Sequence, residues 1–323
     1  MGRPAELSLA PGQCAAIPTG GMLPEGADAA LMVEHTELLG PQTVELSRPV
    51  SPGQNVIGAG EDIPAGSVCL TAGAPLRAGE LALLATIGVT EVPVYRRPVV
   101  ALLSTGDEVV APEAQPGPAE VRDANAWGLS AMVAQAGATP RFEGIVRDVE
   151  GSLARAARAA YDSADVLIIS GGSSVGERDL ARQVLHDLGK PGVLVHGIAL
   201  KPGKPTIIGL ADGKPVFGLP GHPLSAMVSF HCVVRPILRR LGGETDWVEP
   251  SVTARLSRTV PSESGRTEFV RVRLQASPDG LVAGPLFGKS AGLATLIAAQ
   301  GLVEVPLGVE GLDAGAEVQV LLL

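Results

Sequence analysis

Apolar runs of strand length alternate with helical patterns of 3/4 spacing through the middle of this chain. Pro98-Val-Val-Ala-Leu-Leu-Ser reads as a buried strand, followed by a turn and a helix over 124–136. A strand near 140–146 leads into a helix that carries Leu153, Ala156, Ala157, Ala160 and Tyr161 on one face. Arg155 and Arg158 fall on the other. The pattern continues with strand 165–170, helix 178–188, strands 193–200, 206–210 and 215–219, and a long helix over 223–241. Repeated βα units with apolar strands predict an α/β domain over 98–246, with a central, mostly parallel sheet covered by helices on both faces.

The flanks read differently. Residues 1–97 hold short β-like runs near 44–47, 66–70 and 92–95 and one helical stretch from Arg77 to Ile87, which predicts a β-rich N-terminal region. Residues 247–323 return to strands. Thr267-Glu-Phe-Val-Arg-Val-Arg-Leu alternates with period 2, and Ala316-Glu-Val-Gln-Val-Leu-Leu-Leu closes a small C-terminal β domain.

Composition narrows the function classes. A length of 323 residues suits two or three domains, and 46% hydrophobic with 18% charged residues marks a folded protein. The 41 glycines and 27 prolines follow no G-X-Y period, so they signal turns rather than collagen. A net charge of −9 and nine aromatic residues argue against a nucleic-acid partner. No apolar run approaches the roughly 20 residues that span a bilayer, and the opening residues do not show the charged, then apolar, then small-residue pattern of a signal peptide. Cys14, Cys69 and Cys232 are far apart in sequence and no H-E-x-x-H occurs, which predicts a cytoplasmic protein without disulfides or a zincin site.

The unusual sequences sit in loops after apolar strands. They are Ser104-Thr-Gly-Asp-Glu108, Ser170-Gly-Gly-Ser-Ser-Val-Gly-Glu-Arg-Asp179 and Gly218-Leu-Pro-Gly-His-Pro223, joined by Lys201-Pro-Gly-Lys-Pro205. In an open parallel sheet such loops meet at the carboxyl edge, where ligands bind. Ser170, Gly171, Gly172, Ser173 and Ser174 offer hydroxyls and free N–H groups to a phosphate or another anion; an ordinary βα turn is the competing reading. Pro220, Gly221 and His222 precede Pro223 at a helix start, which suits an anion or simple capping. Lys201 and Lys204 are two of only five lysines, each followed by a proline that stiffens the loop, although the loop is not a Walker motif.

Ser104, Thr105, Gly106 and Asp107 would line the same rim. Glu108 and Asp179 bring further carboxylates beside the predicted phosphate site, the setting for a hard cation such as Mg2+. Asp123 and Asn125 begin the next helix, as caps or as polar ligand contacts. Gly60-Glu61-Asp62 is either another acidic contribution or a surface turn. His231 falls within the apolar stripe of the long helix and reads as a core histidine, and Cys232 as helix packing.

Taken together these segments resemble the molybdopterin molybdenumtransferase family, the MoeA-like proteins related to the gephyrin E domain. The resemblance also includes Ile17-Pro-Thr-Gly-Gly, Leu23-Pro-Glu-Gly-Ala-Asp, Arg266-Thr-Glu-Phe-Val-Arg and Ala298-Ala-Gln-Gly-Leu-Val-Glu-Val-Pro. It implies an enzyme that takes adenylylated molybdopterin and molybdate, uses Mg2+, and releases AMP and molybdenum cofactor. Tungstate is nearly equal to molybdate in size and charge. By the family pattern Glu108, Asp179 and Asp62 carry the metal and molybdate chemistry. The Ser170–Ser174 loop, Lys201, Lys204 and the Gly221 loop bind the pterin phosphate and AMP portions.

A homodimer is implied, with a molybdopterin adenylyltransferase and apo-molybdoenzymes as partners. The family usually begins with a stretch containing Asp-Gly-Tyr-Ala, and this chain starts beyond it. His222 stands where the family has asparagine and Ser173 where it more often has valine. Two alternatives accompany the reading: a non-catalytic molybdopterin carrier, and a CinA-like hydrolase of a nucleotide-linked substrate.

Overall fold

The computed structural model describes residues 2–147, 149, 151–171, 180–288 and 292–323. The chain forms two compact units, Met1–Ala72 and Gly73–Leu323. In the first, a hairpin pairs β1 (Thr36–Gly40) with β2 (Thr43–Leu46), and Ser8 bridges to Glu25. The β-like run at 66–70 forms no strand. It begins at Gly66 with a φ of +83°, inside a turn.

The second unit opens with α1 (Ala78–Thr86). The β-like run at 92–95 is likewise unpaired, with Pro93 unable to donate to a ladder. Then come β3 (Val99–Thr105), a two-residue pair β4 (Val109–Val110) and β5 (Val121–Arg122), α2 (Asn125–Gln135), β6 (Thr139–Val146), α3 (Ser152–Asp162) and β7 (Val166–Ser170). They are followed by α4 (Leu180–Asp187), β8 (Pro191–His196), β9 (Leu200–Lys201), β10 (Ile207–Ala211) and β11 (Lys214–Leu219).

The central sheet has the order β6-β3-β7-β11-β10-β8. β6, β3, β7 and β11 are parallel, whereas β10 is antiparallel to both β11 and β8. The short turn at Asp212-Gly213 explains the reversal, because a two-residue connection can only make a hairpin. The expected parallel sheet therefore ends in an antiparallel edge.

Both faces of this sheet are buried. On one, Ala101, Leu103, Leu167 and Ile169 pack against Leu153, Ala157 and Tyr161 of α3 and Leu185 of α4. On the other, Val100, Leu102, Ile168, Phe217 and Leu219 meet Leu129 and Val133 of α2 and Ala226, Phe230 and Leu238 of the last helix. Successive strand residues thus feed opposite cores, which is why these strands read as unbroken apolar runs.

The long helix expected over 223–241 is continuous but changes pitch. α5 (Pro223–Ser229) passes through a widened turn, Phe230–Val234, into α6 (Arg235–Leu241). Arg235 N–H donates to the Phe230 carbonyl, five residues back. Pro236 lacks an N–H and its ring would meet the Cys232 carbonyl in a regular helix, so a wider turn relieves the clash.

The C-terminal strands are β12 (Ser251–Leu256), β13 (Val260–Pro261), β14 (Thr267–Ser277) and β15 (Gly280–Pro285). After α7 (Leu293–Ile297) come β16 (Gly301–Val305), β17 (Gly311–Leu312) and β18 (Glu317–Leu322). Their main sheet has the order β15-β12-β18-β16-β14-β9, and β15 also pairs with β14. Its own core holds Ala254, Leu256, Val270, Val272, Val303, Val305 and Val320. The edge strand β9 comes from the loop region of the central sheet. The expected strand 193–200 is accordingly two strands, one in each sheet. Leu200 of β9 packs with Leu224, Val228, Phe269 and Leu302, an apolar cluster shared by α5 and the C-terminal strands.

A buried polar cluster fastens the last helix to the segment after it. His231 is 5% exposed, with Nδ1 3.0 Å from Arg235 Nη1 and Nε2 3.5 Å from Glu249 Oε1. Arg235 Nη2 lies 2.5 Å from the same carboxylate, and Arg235 and Arg239 both stack on Trp247. Burial, helped by the neighbouring Arg235, lowers the His231 pKa from 6.5 to about 4. Burial pushes the Cys232 thiol up to about 12, which leaves it an inert packing residue.

The folded protein therefore keeps His231 neutral while the unfolded chain protonates it below its ordinary pKa. Its contribution is present above pH 6.5 and is lost as pH falls toward 4. Between pH 7 and pH 5 we expect it to remove about 2 kcal/mol of unfolding free energy. Urea unfolding of wild type and His231→Gln at both pH values checks this. The acid-dependent loss should be smaller in the variant by about that amount.

Candidate functional site

The parallel strands bring their loops to one edge of the central sheet. Across that edge Ser104 pairs with Ser170, Ser170 with Leu219, and Gly218 with Ile207, which in turn faces His196. Four segments therefore emerge side by side: the end of β3, the end of β7, the end of β11, and the connection from β8 to β10 that carries Lys201 and Lys204. Their convergence, expected from the strand pattern, follows from this register.

Small residues allow the segments to touch. Gly171 has a φ of +94°, and a Cβ there would collide with the Thr105 carbonyl oxygen. Its N–H donates to the Leu219 carbonyl at 3.1 Å, so this residue locks the β7 loop onto its two neighbours. Gly221 stands against it, with a built Cβ 3.7 Å from the Gly171 Cα. Gly106, with a φ of +141°, passes beneath the Glu108 carboxylate, whose Oε2 would lie 2.7 Å from a Cβ. Only glycine leaves room for that carboxylate to fold back over the backbone.

Ser104, Thr105, Gly106, Ser170, Gly171 and Pro220 are buried, whereas Asp107, Glu108, Gly221 and His222 are exposed. His222 is the N-cap of α5 with Pro223 following, yet its side chain makes no capping hydrogen bond.

Asn125 ties the centre together. Its Nδ2 donates to Ser170 Oγ at 2.7 Å and to the Gly221 and Pro220 carbonyls at 2.9 and 3.4 Å. Asp123 Oδ1 accepts from the Ala126 N–H at 3.0 Å, which makes it a cap of α2. The remaining oxygens, Asp123 Oδ2 and Asn125 Oδ1, are buried and have no hydrogen-bond partner. Such atoms are uncommon in folded proteins, and each calls for a donor. Capping and a ligand contact are thus compatible readings at Asp123, one oxygen for each.

The lysine loop is held from both sides. Gly197 and Ile198 N–H groups donate to the Thr206 and Lys204 carbonyls. Thr206 Oγ1, fully buried, lies 2.7 Å from both the Gly203 carbonyl oxygen and Ser229 Oγ of α5. Lys201 belongs to β9, and its Nζ is 3.1 Å from Glu268 Oε2 of β14. Ser262 Oγ donates to that same oxygen at 2.7 Å. Lys204 is exposed.

Glu268, Ser262, Thr206 and Ser229 escape sequence reasoning. Glu268 lies in the Arg266-Thr-Glu-Phe segment, but nothing local shows that β9 pairs beside it.

Gly172, Ser173, Ser174 and Asp179 lie outside the described residues. Asp62 is an exposed residue of the first unit. Among the described residues, no three of His, Cys, Asp and Glu are grouped to hold a metal ion. Glu108 and Asp107 are exposed carboxylates at the end of β3, hard oxygen donors of the kind a Mg2+ ion prefers.

Comparison with known proteins places this geometry in a family. Residues 101–240 match the family described as a probable molybdopterin binding domain. Residues 1–88 match the MoeA N-terminal region (domain I and II), and residues 253–323 the MoeA C-terminal region (domain IV). A molybdopterin molybdenumtransferase of Bacillus subtilis is 36% identical over 327 residues, covering 100% of this chain and 76% of its own length. One from Nostoc is 35% identical, covering 98% of this chain and 74% of its own length. The solved structure of a molybdopterin biosynthesis MoeA protein from Pyrococcus horikoshii superposes with a TM-score of 0.83 at 28% identity, covering 100% of this chain and 78% of that one. The matches run through the crevice loops and both flanking regions, and the chain belongs to the molybdopterin molybdenumtransferase family.

Proposed function

We propose that the chain inserts molybdenum into adenylylated molybdopterin, releasing AMP, as a step of molybdenum cofactor biosynthesis. The observation that carries this reading is the meeting of four strand-end loops at one sheet edge, two of them tied by Asn125, whose Oδ1, like Asp123 Oδ2, is buried and unpartnered. Those atoms suit hydrogen-bond donors, which pterin and adenine rings both carry. Lys201 and Lys204 suit the phosphates, and in this reading Ser104 to Asp107, Ser170 to Ser174 and Pro220 to His222 contribute the remaining substrate contacts.

In this reading Glu108, Asp179 and Asp62 hold Mg2+ and the molybdate substrate. Mg2+, when bound, offsets the charge of the phosphates. Asn125 keeps the β7 and β11 loops in register. The three-part division into 1–97, 98–246 and 247–323 is the corresponding domain proposal.

No helix of the described residues is long and apolar enough to cross a membrane, and the three cysteines are free, which supports a cytoplasmic location. Exposed apolar residues of the first unit, among them Val33, Leu38, Leu39 and Ile57, support a homodimer. A molybdopterin adenylyltransferase would supply the substrate and apo-molybdoenzymes would receive the product. The carrier and CinA-like alternatives are not favoured, since relatives matching nearly the whole chain are named as transferases.

The test mixes the purified chain with adenylylated molybdopterin, molybdate and Mg2+ and follows AMP. Release should fall by about 100-fold or more in Glu108→Gln, the scale on which a positioned acid–base or metal-holding carboxylate acts. A well-folded wild type that releases no AMP would sink the proposal.

Asn125 yields a second expectation. Asn125→Ala should lower stability by about 1–3 kcal/mol, because three acceptors lose their donor. Asn125→Asp should cost more, since a carboxylate would then face the Gly221 and Pro220 carbonyls. Urea midpoints of the two variants establish the order.

A further inference from the structure

Lys201 lies in the predicted phosphate-binding loop, yet it stands beside a carboxylate. Glu268 Oε2 is 3.1 Å from its Nζ and also accepts from Ser262 Oγ at 2.7 Å. The pairing is built into the backbone. β9 and β14 run parallel with Lys201 opposite Glu268, and the Thr267 N–H donates to the Ala199 carbonyl at 2.9 Å. Ser262 is held in turn by its N–H on the Glu310 carbonyl at 2.8 Å. The Glu268 and Lys201 side chains are 17% and 35% exposed, so their charges interact more strongly than those of a freely solvated surface pair.

We propose that Glu268 is a specificity-determining residue that acts through Lys201, as a resident counter-charge. A lysine has three donors, and Glu268 takes one of them. An oxyanion arriving at Lys201 must share the ammonium with a carboxylate already in place. A lone oxyanion has little else to gain and binds weakly. A phosphate within a larger ligand is also held by contacts to the β3, β7 and β11 loops, and it tolerates the neighbouring charge. The residue thereby favours the multiply held substrate over free phosphate. This inference rests on the reading of the crevice given above and names its discrimination against simple oxyanions.

Inorganic phosphate is the probe. Trace reductive methylation of the full chain, read at Lys201 by mass spectrometry at constant ionic strength, reports how much phosphate protects that amine. Lys214, whose Nζ donates to the Tyr161 carbonyl, is the internal reference. In Glu268→Gln, half-protection should require about 3- to 10-fold less phosphate than in wild type, the effect of removing one like charge near a partly exposed site. Glu268→Asp, which keeps the charge, should stay within about 2-fold of wild type by the same reasoning. Inhibition of AMP release by phosphate should strengthen in Glu268→Gln by the same factor, with a smaller change in KM for the adenylylated pterin.

Equal or weaker protection in Glu268→Gln would overturn the proposal, and so would the failure of phosphate to protect Lys201 in both proteins. Failure of the parent reading registers separately, as absence of AMP release from wild type. A purely structural role for Glu268 would weaken substrate and phosphate together.

Discussion

The two-residue strand Leu200–Lys201 is the constraint on which the crevice depends. Its backbone completes the edge of the C-terminal sheet, while the residues on either side of it hydrogen-bond to one another and continue into β10 of the central sheet. Peptide groups in partly buried chain have to be paired, so neither sheet can shift alone without breaking these bonds. Leu200 adds a hydrophobic tie through Leu224, Val228, Phe269 and Leu302. The backbone at both lysines is thereby held by ladder geometry and core packing. Loop entropy, which would otherwise oppose holding two long side chains at one rim, is met when the sheets form.

The other loops depend on the same economy of space. Register across β3, β7 and β11 sets Ser104, Ser170 and Leu219 in one row, and any bulky residue next to that row would force the loops apart. Gly171 against Thr105, and Gly221 against Gly171, keep them together. Asn125 then does with one carboxamide what several side chains would otherwise have to do, binding the β7 hydroxyl and two β11-loop carbonyls at once. The wider turn at Phe230–Val234 lets a proline-containing helix run on behind the site, which keeps Ser229 against Thr206.

Much of this was legible in the amino-acid sequence because it is written in local terms. Strands buried on both faces need continuous apolar runs, and Val166–Ser170 has one. α3 shows its buried face through Leu153, Ala157, Ala160 and Tyr161. The loops stood out as polar and glycine-bearing after such strands. What escaped depends on partners distant in sequence. Two residues are too few for a periodic signal, so β9 could not be separated from β8. The antiparallel edge followed from a hairpin at Asp212-Gly213 inside an otherwise repeating βα pattern. Glu268 looked like one more polar position of an alternating strand, and only the parallel pairing with Lys201 gives it a place in the site. The runs at 66–70 and 92–95 had strand composition but no neighbour to pair with, and composition alone does not supply one.

The charge distribution follows from these placements. A crevice with unpartnered buried acceptors and exposed or partly exposed lysines is polarised, with hydrogen-bond acceptors inside and cations nearer solvent. An isolated buried acceptor costs stability, on the order of 1–3 kcal/mol. The well-packed central sheet can sustain that loss because neither Asp123 nor Asn125 interrupts a strand. Neutralising Lys201 with Glu268 has a further physical consequence. With that ammonium paired, the lysine loop presents less unbalanced positive charge to solvent, and its field at long range is reduced. Selectivity in such a crevice must then come from short-range contacts made by several loops together, which the shared edge strand and the glycine contacts hold in place.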